Sequence, residues 1–424
     1  MNAVTNDRIQ AAEAALAMAG DELKHGIDPA RSFERAIEAY EEALRAEPAD
    51  PHALRGRATA LLRRAQADAD MQRDTVERWD QAIAAFDDVL RSEPGNVEAR
   101  VDRSCAWSRR GQCETDHGKD PLPSCARAIA DAESALRIDP SCAPAYGRRA
   151  DAYHVIAERK TVLRQEALDD CRRAIADYDE AIRRGCATAE MYANRAMAHQ
   201  VDGLAREPRE EDSIPSFDRA IADFSEATRL DPDRPAIYGW RATVHGFKAR
   251  AQALRGVDPL ETWRAAIRDF DECIARSRGD ACAFVYRARM RMYVAQRIAP
   301  EGRNPLPELL KAISDGGDAL GLDPDLVTAY EVRGGAHKLR GDVEAAMGVD
   351  PGPSYERALA DFHSARVRGS EPWTIHLATG DILKAQGKLH DAARAYQQCA
   401  RNNKLTPEAR AALEEQIRRM LDSR

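Results

Sequence analysis

Apolar and polar positions along the chain follow the period of an α-helix, and the whole pattern repeats every 46 residues from residue 28 to residue 372. Within one repeat, Phe33, Ala36, Tyr40 and Ala43 recur at spacings of three and four, which places them on one helical face. The most regular column is alanine in all eight copies: Ala36, Ala82, Ala128, Ala174, Ala220, Ala266, Ala312 and Ala358. We therefore predict eight copies of one helical unit.

Each unit is predicted to contain two helices, A and B. An acidic or amide residue followed by proline starts helix B in several units, because its side chain can accept from the unpaired N–H groups of the first turn. These starts are Asp28, Asp120, Asp258, Asn304 and Asp350. Proline also marks the end of many units, as at Pro48, and cannot continue a helix. Gly111, Gly203 and Gly341 leave open whether helix A ends early or runs on.

The helix B columns resemble the second helix of tetratricopeptide repeats, which carries small, aromatic, small and proline residues at set spacings, as Ala36, Tyr40, Ala43 and Pro48 do. Family units have about 34 residues, so these units are enlarged by about 12 residues, which are helix or loop. The resemblance covers nearly the whole chain. It implies an all-α fold, a right-handed α-α superhelical solenoid of antiparallel helix pairs.

The repeat predicts one solenoid over residues 1–405 and a C-terminal capping helix over residues 406–424. The ninth unit reverts to the ordinary, shorter spacing. The expected units lie near residues 5–50, 51–96, 97–142, 143–188, 189–234, 235–280, 281–326, 327–372 and 373–405.

One charged pair follows the repeat and predicts salt bridges within the units. Arginine occupies one helix A column and aspartate one helix B column, and both are present from the third to the eighth unit. The second unit has Arg57 but Ala85 in place of the aspartate. Because the pair recurs six times, we interpret it as structural and not catalytic; bidentate Arg–carboxylate bridges suit helix pairing.

Composition narrows the classes of function. The formal net charge is −8, and acidic and basic residues are interleaved, so we expect no nucleic-acid partner. No long apolar run or signal segment occurs, so we expect a cytoplasmic protein that does not contact membranes. The nine cysteines form no CxxC pair and are expected to be reduced and structural. The excess of arginine and alanine is a compositional hint of a bacterial source.

Known chemical motifs are missing from the sequence. It contains no phosphate-binding glycine loop, zinc-protease motif, nucleophile elbow or EF-hand loop, so we expect no catalytic residue, no cofactor and no metal site. Three of the ten histidines, His199, His245 and His337, share a helix A column with Trp107 and Tyr153. We interpret them as packed rings and not as metal ligands.

The variable positions of helix A predict a binding face. Two columns seven residues apart change from polar residues in the first half of the chain to aromatic and aliphatic residues in the second. Aromatic residues dominate binding hot spots. The candidate partner-binding residues are Trp240, Phe247, Tyr286, Arg289, Met292, Tyr293, Val332 and Leu339. The alternative is that longer helices bury these rings between neighbouring units.

These features predict a non-catalytic scaffold that binds a peptide or helix of another protein in the concave groove that the resemblance implies. Two alternatives stay open: a self-assembling structural solenoid, and a regulatory accessory module of an enzyme or signalling system. A binder of chaperone tails is not expected, because Asn194 stands without the lysine and asparagine partners of that clamp.

Overall fold

The computed structural model describes residues 3–71, 73, 75–277, 279–370, 373–401 and 405–422. All regular elements within these ranges are helical, as the repeat pattern predicts. The chain forms two compact parts, Met1–Leu230 and Asp231–Arg424, called here the N-terminal block and the C-terminal block. The division into one solenoid and a cap stays a prediction.

In the N-terminal block the helices alternate between helix A (odd numbers) and helix B (even numbers). They are α1 (Ala3–Lys24), α2 (Ala30–Ala46), α3 (Pro51–Asp70), α4 (Val76–Ser92), α5 (Val97–Asp116), α6 (Leu122–Ile138), α7 (Ala143–Val162), α8 (Leu168–Arg183), α9 (Ala189–Arg206) and α10 (Ile214–Leu230). A short 3-10 turn, Glu207–Arg209, extends α9. From α1 to α9, each helix packs against the next one of the block, and α5 and α7 also contact the helix A that follows.

The C-terminal block continues the same alternation. Its helices are α11 (Pro235–Leu254), α12 (Leu260–Arg276), α13 (Ala281–Ile298), α14 (Leu306–Leu322), α15 (Val327–Ala346), α16 (Gly352–Val367), α17 (Trp373–Ala385), α18 (Leu389–Ala400) and α19 (Pro407–Asp422). A 3-10 turn, Ala299–Glu301, extends α13. In both blocks the repeated spacing puts alanine at buried positions of helix B: Ala36, Ala82, Ala128, Ala174, Ala220, Ala266, Ala312 and Ala358 have no exposed surface.

The extra residues of each enlarged unit are helical. Helix A has 20 residues in five units and helix B has 16 or 17, whereas the two helices of the ninth unit have only 13 and 12. The glycines within helix A do not end it, because they accommodate side chains of helix B. A Cβ added to Gly203 would lie 2.5 Å from the Phe217 ring, and one added to Gly341 would lie 2.5 Å from the Tyr355 ring.

A polar contact between side chains joins the lengthened ends of helices A and B. Ser124 Oγ donates to Glu114 at 2.7 Å, and Ser354 Oγ donates to Glu344 at 2.6 Å. Where serine is replaced by aspartate, the helix A residue is a lysine, and the pair forms the ion pair Lys160–Asp170 at 2.5 Å. The chemistry therefore changes on both sides together, which keeps the extended helices paired.

Most A–B loops turn at one residue with left-handed backbone. Glycine occupies this position in most units, as at Gly256 with φ 70°, because it adopts positive φ without a steric penalty. Arg164 and Glu210 hold the same position with φ 56° and 58°, so these two loops carry backbone strain.

The predicted helix B starts are confirmed. Asp28, Asp120, Asp258, Asn304 and Asp350 each accept a hydrogen bond from the backbone N–H two residues later, at 2.9–3.1 Å. Among the described helices, none combines the length and the apolar character that crossing a lipid bilayer requires.

Candidate protein-binding face

Six bidentate arginine–aspartate pairs link helices A and B, as the sequence predicts. In a typical pair, Arg149 Nε and Nη2 each donate to an oxygen of Asp177 at 2.7 Å. The aspartates are buried, and the arginines are mostly covered. The six pairs are Arg103–Asp131, Arg149–Asp177, Arg195–Asp223, Arg241–Asp269, Arg287–Asp315 and Arg333–Asp361. This regular use in six units supports a structural role.

The unit without the aspartate uses a different partner. Arg57 donates to Asp88, three residues further along α4, at 2.6 Å. Ala85 occupies the position of the missing aspartate, and a groove of about 510 Å³ opens beside it.

The histidines of helix A pack beside these pairs. His245 Nε2 lies 3.6 Å from Asp269, and His199 Nε2 lies 4.0 Å from Asp223. Burial lowers the pKa of His199, His245 and His337, in His245 to about 4, so the rings are neutral at pH 7. Within the described part of the chain, no cluster of three or more histidine, cysteine or acidic residues has metal-binding geometry.

The predicted binding residues lie on three helix A elements of the C-terminal block, and together they are called the aromatic face. Its members are Trp240 and Phe247 on α11, Tyr286, Arg289, Met292 and Tyr293 on α13, and Val332 and Leu339 on α15. The three helices are successive helices A, and α13 contacts both α11 and α15.

Two tyrosines of the aromatic face reach the surface. Tyr286 is 42% exposed and Tyr293 is 38% exposed. Each has one side of its ring on an aromatic residue of α12: Tyr286 stacks on Phe270 with 6.0 Å between ring centroids, and Tyr293 lies 5.5 Å from Trp263. The rings are therefore held in place by packing while their other sides remain accessible.

Arg289 lies between the two tyrosines on the same helical face. Its guanidinium is 5.7 Å from the Tyr286 ring centroid, and among the described residues it has no acidic partner. Trp240 and Phe247 are half-buried, each with an arginine guanidinium 5.6 Å from its ring.

The aliphatic members of the aromatic face are buried or partly buried beneath the aromatic rings. Val332 is 6% exposed and belongs to the core between α13 and α15, while Met292 and Leu339 are partly covered. Met292 packs against Gly335, where an added Cβ would lie 2.9 Å from its methyl carbon. The most exposed side chains of the aromatic face are thus Tyr286 and Tyr293.

A polar network around Asp151 joins α7, α8 and α9, and the sequence did not predict it. Asp151 accepts from Tyr178 at 2.7 Å, from Asn194 at 3.1 Å and from Arg148 at 3.0 Å. Burial alone would raise the pKa of Asp151. The charges of Arg148 and Arg109 outweigh this effect, so the pKa lies below its ordinary value. Two members, Arg148 and Asn194, lie in the helix A column that later holds Trp240 and Tyr286, which is the signal that the sequence offered.

The pKa of Asp102, on α5, is shifted in the opposite direction to that of Asp151. Burial raises its pKa to about 6, with Arg148 the strongest opposing charge. Its side chain borders a cavity of about 250 Å³ together with Arg63, Glu98 and His52. The helix A face of the N-terminal block is therefore polar, in contrast to the aromatic face.

Comparison with solved structures finds other helical repeat proteins. The chain is 16% identical to YrrB, described as a TPR protein with an unusual peptide-binding site, over 58% of this chain and 95% of that one, with a TM-score of 0.33. It is 15% identical to a tetratricopeptide repeat protein from Parabacteroides merdae, over 76% and 98%, with a TM-score of 0.39. It is 14% identical to human IFIT1, solved as a dimer with m7Gppp-AAAA, over 90% and 88%, also at 0.39.

A search of curated proteins found no sequence match. The family model described as tetratricopeptide repeat matches residues 30–72 and 377–418. These segments cover a helix B–helix A step near the start of the chain and the shorter repeat with its final helix. Together with the paired helices of the described residues, the two family-model matches show a helical repeat protein with tetratricopeptide repeats at residues 30–72 and 377–418.

Proposed function

We propose that this protein is a non-catalytic adaptor that binds a segment of a partner protein on the aromatic face. Tetratricopeptide repeats form protein-interaction scaffolds in general, because stacked helix pairs present extended surfaces. The proposal assigns the binding surface to α11, α13 and α15 of the C-terminal block.

The observation that carries the proposal is the exposure of Tyr286 and Tyr293 on one helical face. Aromatic residues dominate the energetics of interfaces, so two partly exposed tyrosines on one helical face offer anchors for a partner. Phe270 and Trp263 hold the two rings in position, so a partner would find them ordered before it binds. Preorganisation lowers the entropy cost of binding.

The spacing of the two tyrosines constrains the bound segment. Seven residues of helix separate them, which corresponds to about 10 Å along the axis. A partner helix can span this distance with apolar side chains two turns apart, and an extended peptide can span it with about three residues.

The test is affinity capture from an extract of the cells that make the protein, with wild type and Tyr286→Ala/Tyr293→Ala compared quantitatively. We expect a partner to bind wild type and to be depleted at least tenfold with the double variant. Tyr330→Ala is the matched control, since Tyr330 lies in the same block but packs against Arg333 and Arg368. Circular dichroism establishes that the variants are equally helical.

Photo-cross-linking identifies the contact directly. With p-benzoylphenylalanine in place of Tyr286, the captured partner should become covalently attached, and the same group in place of Tyr330 should leave it free. A partner retained by the double variant and not cross-linked at position 286 would remove the aromatic face from the interface. Cross-links only between copies of this chain would identify self-assembly instead.

A further inference from the structure

The last helix pair contains a groove that lies apart from the aromatic face. It is bounded by α16, α17 and α18 and has a volume of about 570 Å³, within the range of ligand-binding pockets. Its floor is apolar and includes Phe362, Ile375 and Leu383. This space is called here the C-terminal groove.

The C-terminal groove lies at the position where the ninth unit lacks the arginine–aspartate pair. Thr379 stands in the column of Arg333, and Ala395 stands in the column of Asp361 once the shorter spacing of this unit is applied. Both residues line the groove. Two small side chains thus replace a bidentate pair that bridges helices A and B in the six preceding units.

The second unit supports this explanation independently. There Ala85 replaces the aspartate, Arg57 turns towards Asp88, and the groove of about 510 Å³ is lined by both Arg57 and Ala85. A groove thus lies at the equivalent position in two units that lack the pair and differ in helix length.

The rim of the C-terminal groove is cationic and rich in hydrogen-bond donors. Arg366 lies on one side, 3.5 Å from His363, and has no acidic partner among the described residues. Arg394 lies on the opposite side and donates to Asp391 at 2.8 Å; both side chains of that pair are mostly exposed, so the pair is weak. Gln397 and Gln398 add amides to the same rim.

We propose that the C-terminal groove binds an acidic peptide segment that places an apolar side chain on the floor and carboxylates against Arg366 and Arg394. Arginine forms bidentate hydrogen bonds with carboxylates, and the apolar floor favours burial of an aliphatic side chain. The shorter bounding helix, α18, has 12 residues and extends over about 18 Å, which an extended segment covers with five or six residues.

The probe is a fluorescein-labelled octapeptide of alternating glutamate and leucine, measured by fluorescence anisotropy with the full chain at low salt. The comparison peptides replace every glutamate by lysine or by glutamine. We expect the glutamate peptide to bind at least tenfold more tightly than either, with an affinity that falls as salt is added. Equal binding of the lysine peptide would overturn the proposal.

A variant that restores the missing pair tests the position of the site. Thr379→Arg/Ala395→Asp should form the bridge seen in the other units, close the groove and weaken binding of the glutamate peptide at least tenfold. Unchanged binding by the folded variant would show that the peptide binds elsewhere. Circular dichroism and thermal unfolding confirm that this variant is folded.

A charge-reversed variant tests the same site if Thr379→Arg/Ala395→Asp does not fold. Arg366→Glu/Arg394→Glu changes two exposed side chains and should reverse the preference towards the lysine peptide; a preference that does not change would contradict the proposal. Tyr286→Ala/Tyr293→Ala should bind the glutamate peptide as wild type does. Loss of binding in that variant would place the peptide on the aromatic face and overturn the assignment to the groove.

Discussion

At the scale of single residues, different side chains of one helix A column pack beside the buried aspartate of the bridge. His199 and His245 lie within 4.0 Å of the aspartate of their own unit, and Arg291, in the same column, lies 3.3 Å from Asp315. Trp107 fills the column in the third unit and is covered by the guanidinium of Arg127 at 4.6 Å. The column thus requires a planar group beside the bridge and does not require a particular charge.

The histidines of this column make stability depend on pH. The pKa of His245 is lowered to about 4 by burial, whereas an unfolded histidine titrates near 6.5. The unfolded chain therefore binds more protons between these values, and stability is lost as pH falls from about 6.5 to about 4. Between pH 6.5 and pH 4, we expect the free energy of unfolding of His245→Tyr to fall by on the order of 2 kcal/mol less than that of wild type.

The measurement is urea unfolding of wild type and His245→Tyr at several pH values from 7 to 4. Tyrosine is accepted in this column at Tyr153, so the variant should fold. His376→Tyr, on the shorter α17, is a control outside the column. Parallel stability curves for wild type and His245→Tyr would show that His245 does not titrate between the two pH values.

At the scale of helices, the arginine–aspartate pairs fix the register of A against B. Each pair joins residues 28 positions apart and uses two parallel hydrogen bonds, which a single lysine could not provide. Arg103, Arg195 and Arg287 also reach an aspartate on the preceding helix B, at 2.5–2.7 Å. In these units one guanidinium connects three helices.

Removing one partner should cost more than replacing both. We expect Asp177→Ala to lower the free energy of unfolding by about 3 kcal/mol, because it leaves the largely covered Arg149 without its carboxylate. Arg149→Met/Asp177→Leu should cost less, since apolar side chains can pack where the bridge stood. Chemical denaturation of the three chains measures both differences, and a double variant less stable than Asp177→Ala would show that the bridge itself stabilises the helix pair.

At the scale of the molecule, the repeat leaves its last helix pair with an apolar surface that the chain must cover. α19 packs on α18 and buries Leu413, Ile417 and Met420 together with Tyr396. A repeat protein requires such terminal capping because each unit contacts only its neighbours. This packing supports the proposed capping role of residues 406–424.

We expect a chain ending at residue 405 to associate and to lose stability in the last helix pair. Each of the three buried apolar side chains contributes about 1.5–3 kcal/mol in its buried position. Light scattering coupled to size exclusion, compared with the full chain and with a chain ending at residue 421, measures the association. A truncated chain with the mass and melting temperature of the full chain would show that α19 is not a cap.

The amino-acid pattern alone was sufficient to predict the repeat, the helix pairs, the helix B starts and the six charged bridges. These features depend on residues close together in the chain, or on columns that recur at one spacing, so periodicity and capping chemistry reveal them. The glycines of helix A could not be interpreted in this way. They make room for the rings of Phe217 and Tyr355, and this role depends on the partner helix.

The packing of neighbouring helices determines which side chains of the aromatic face reach solvent. Tyr286 and Val332 share one column, yet one ring is exposed and the other side chain is core, because α12 supports the tyrosine while α13 and α15 enclose the valine. The Asp151 network and the C-terminal groove likewise arise from residues of several helices. Exposure and cavities depend on what neighbouring repeats place against a position, and that information is not local in the sequence.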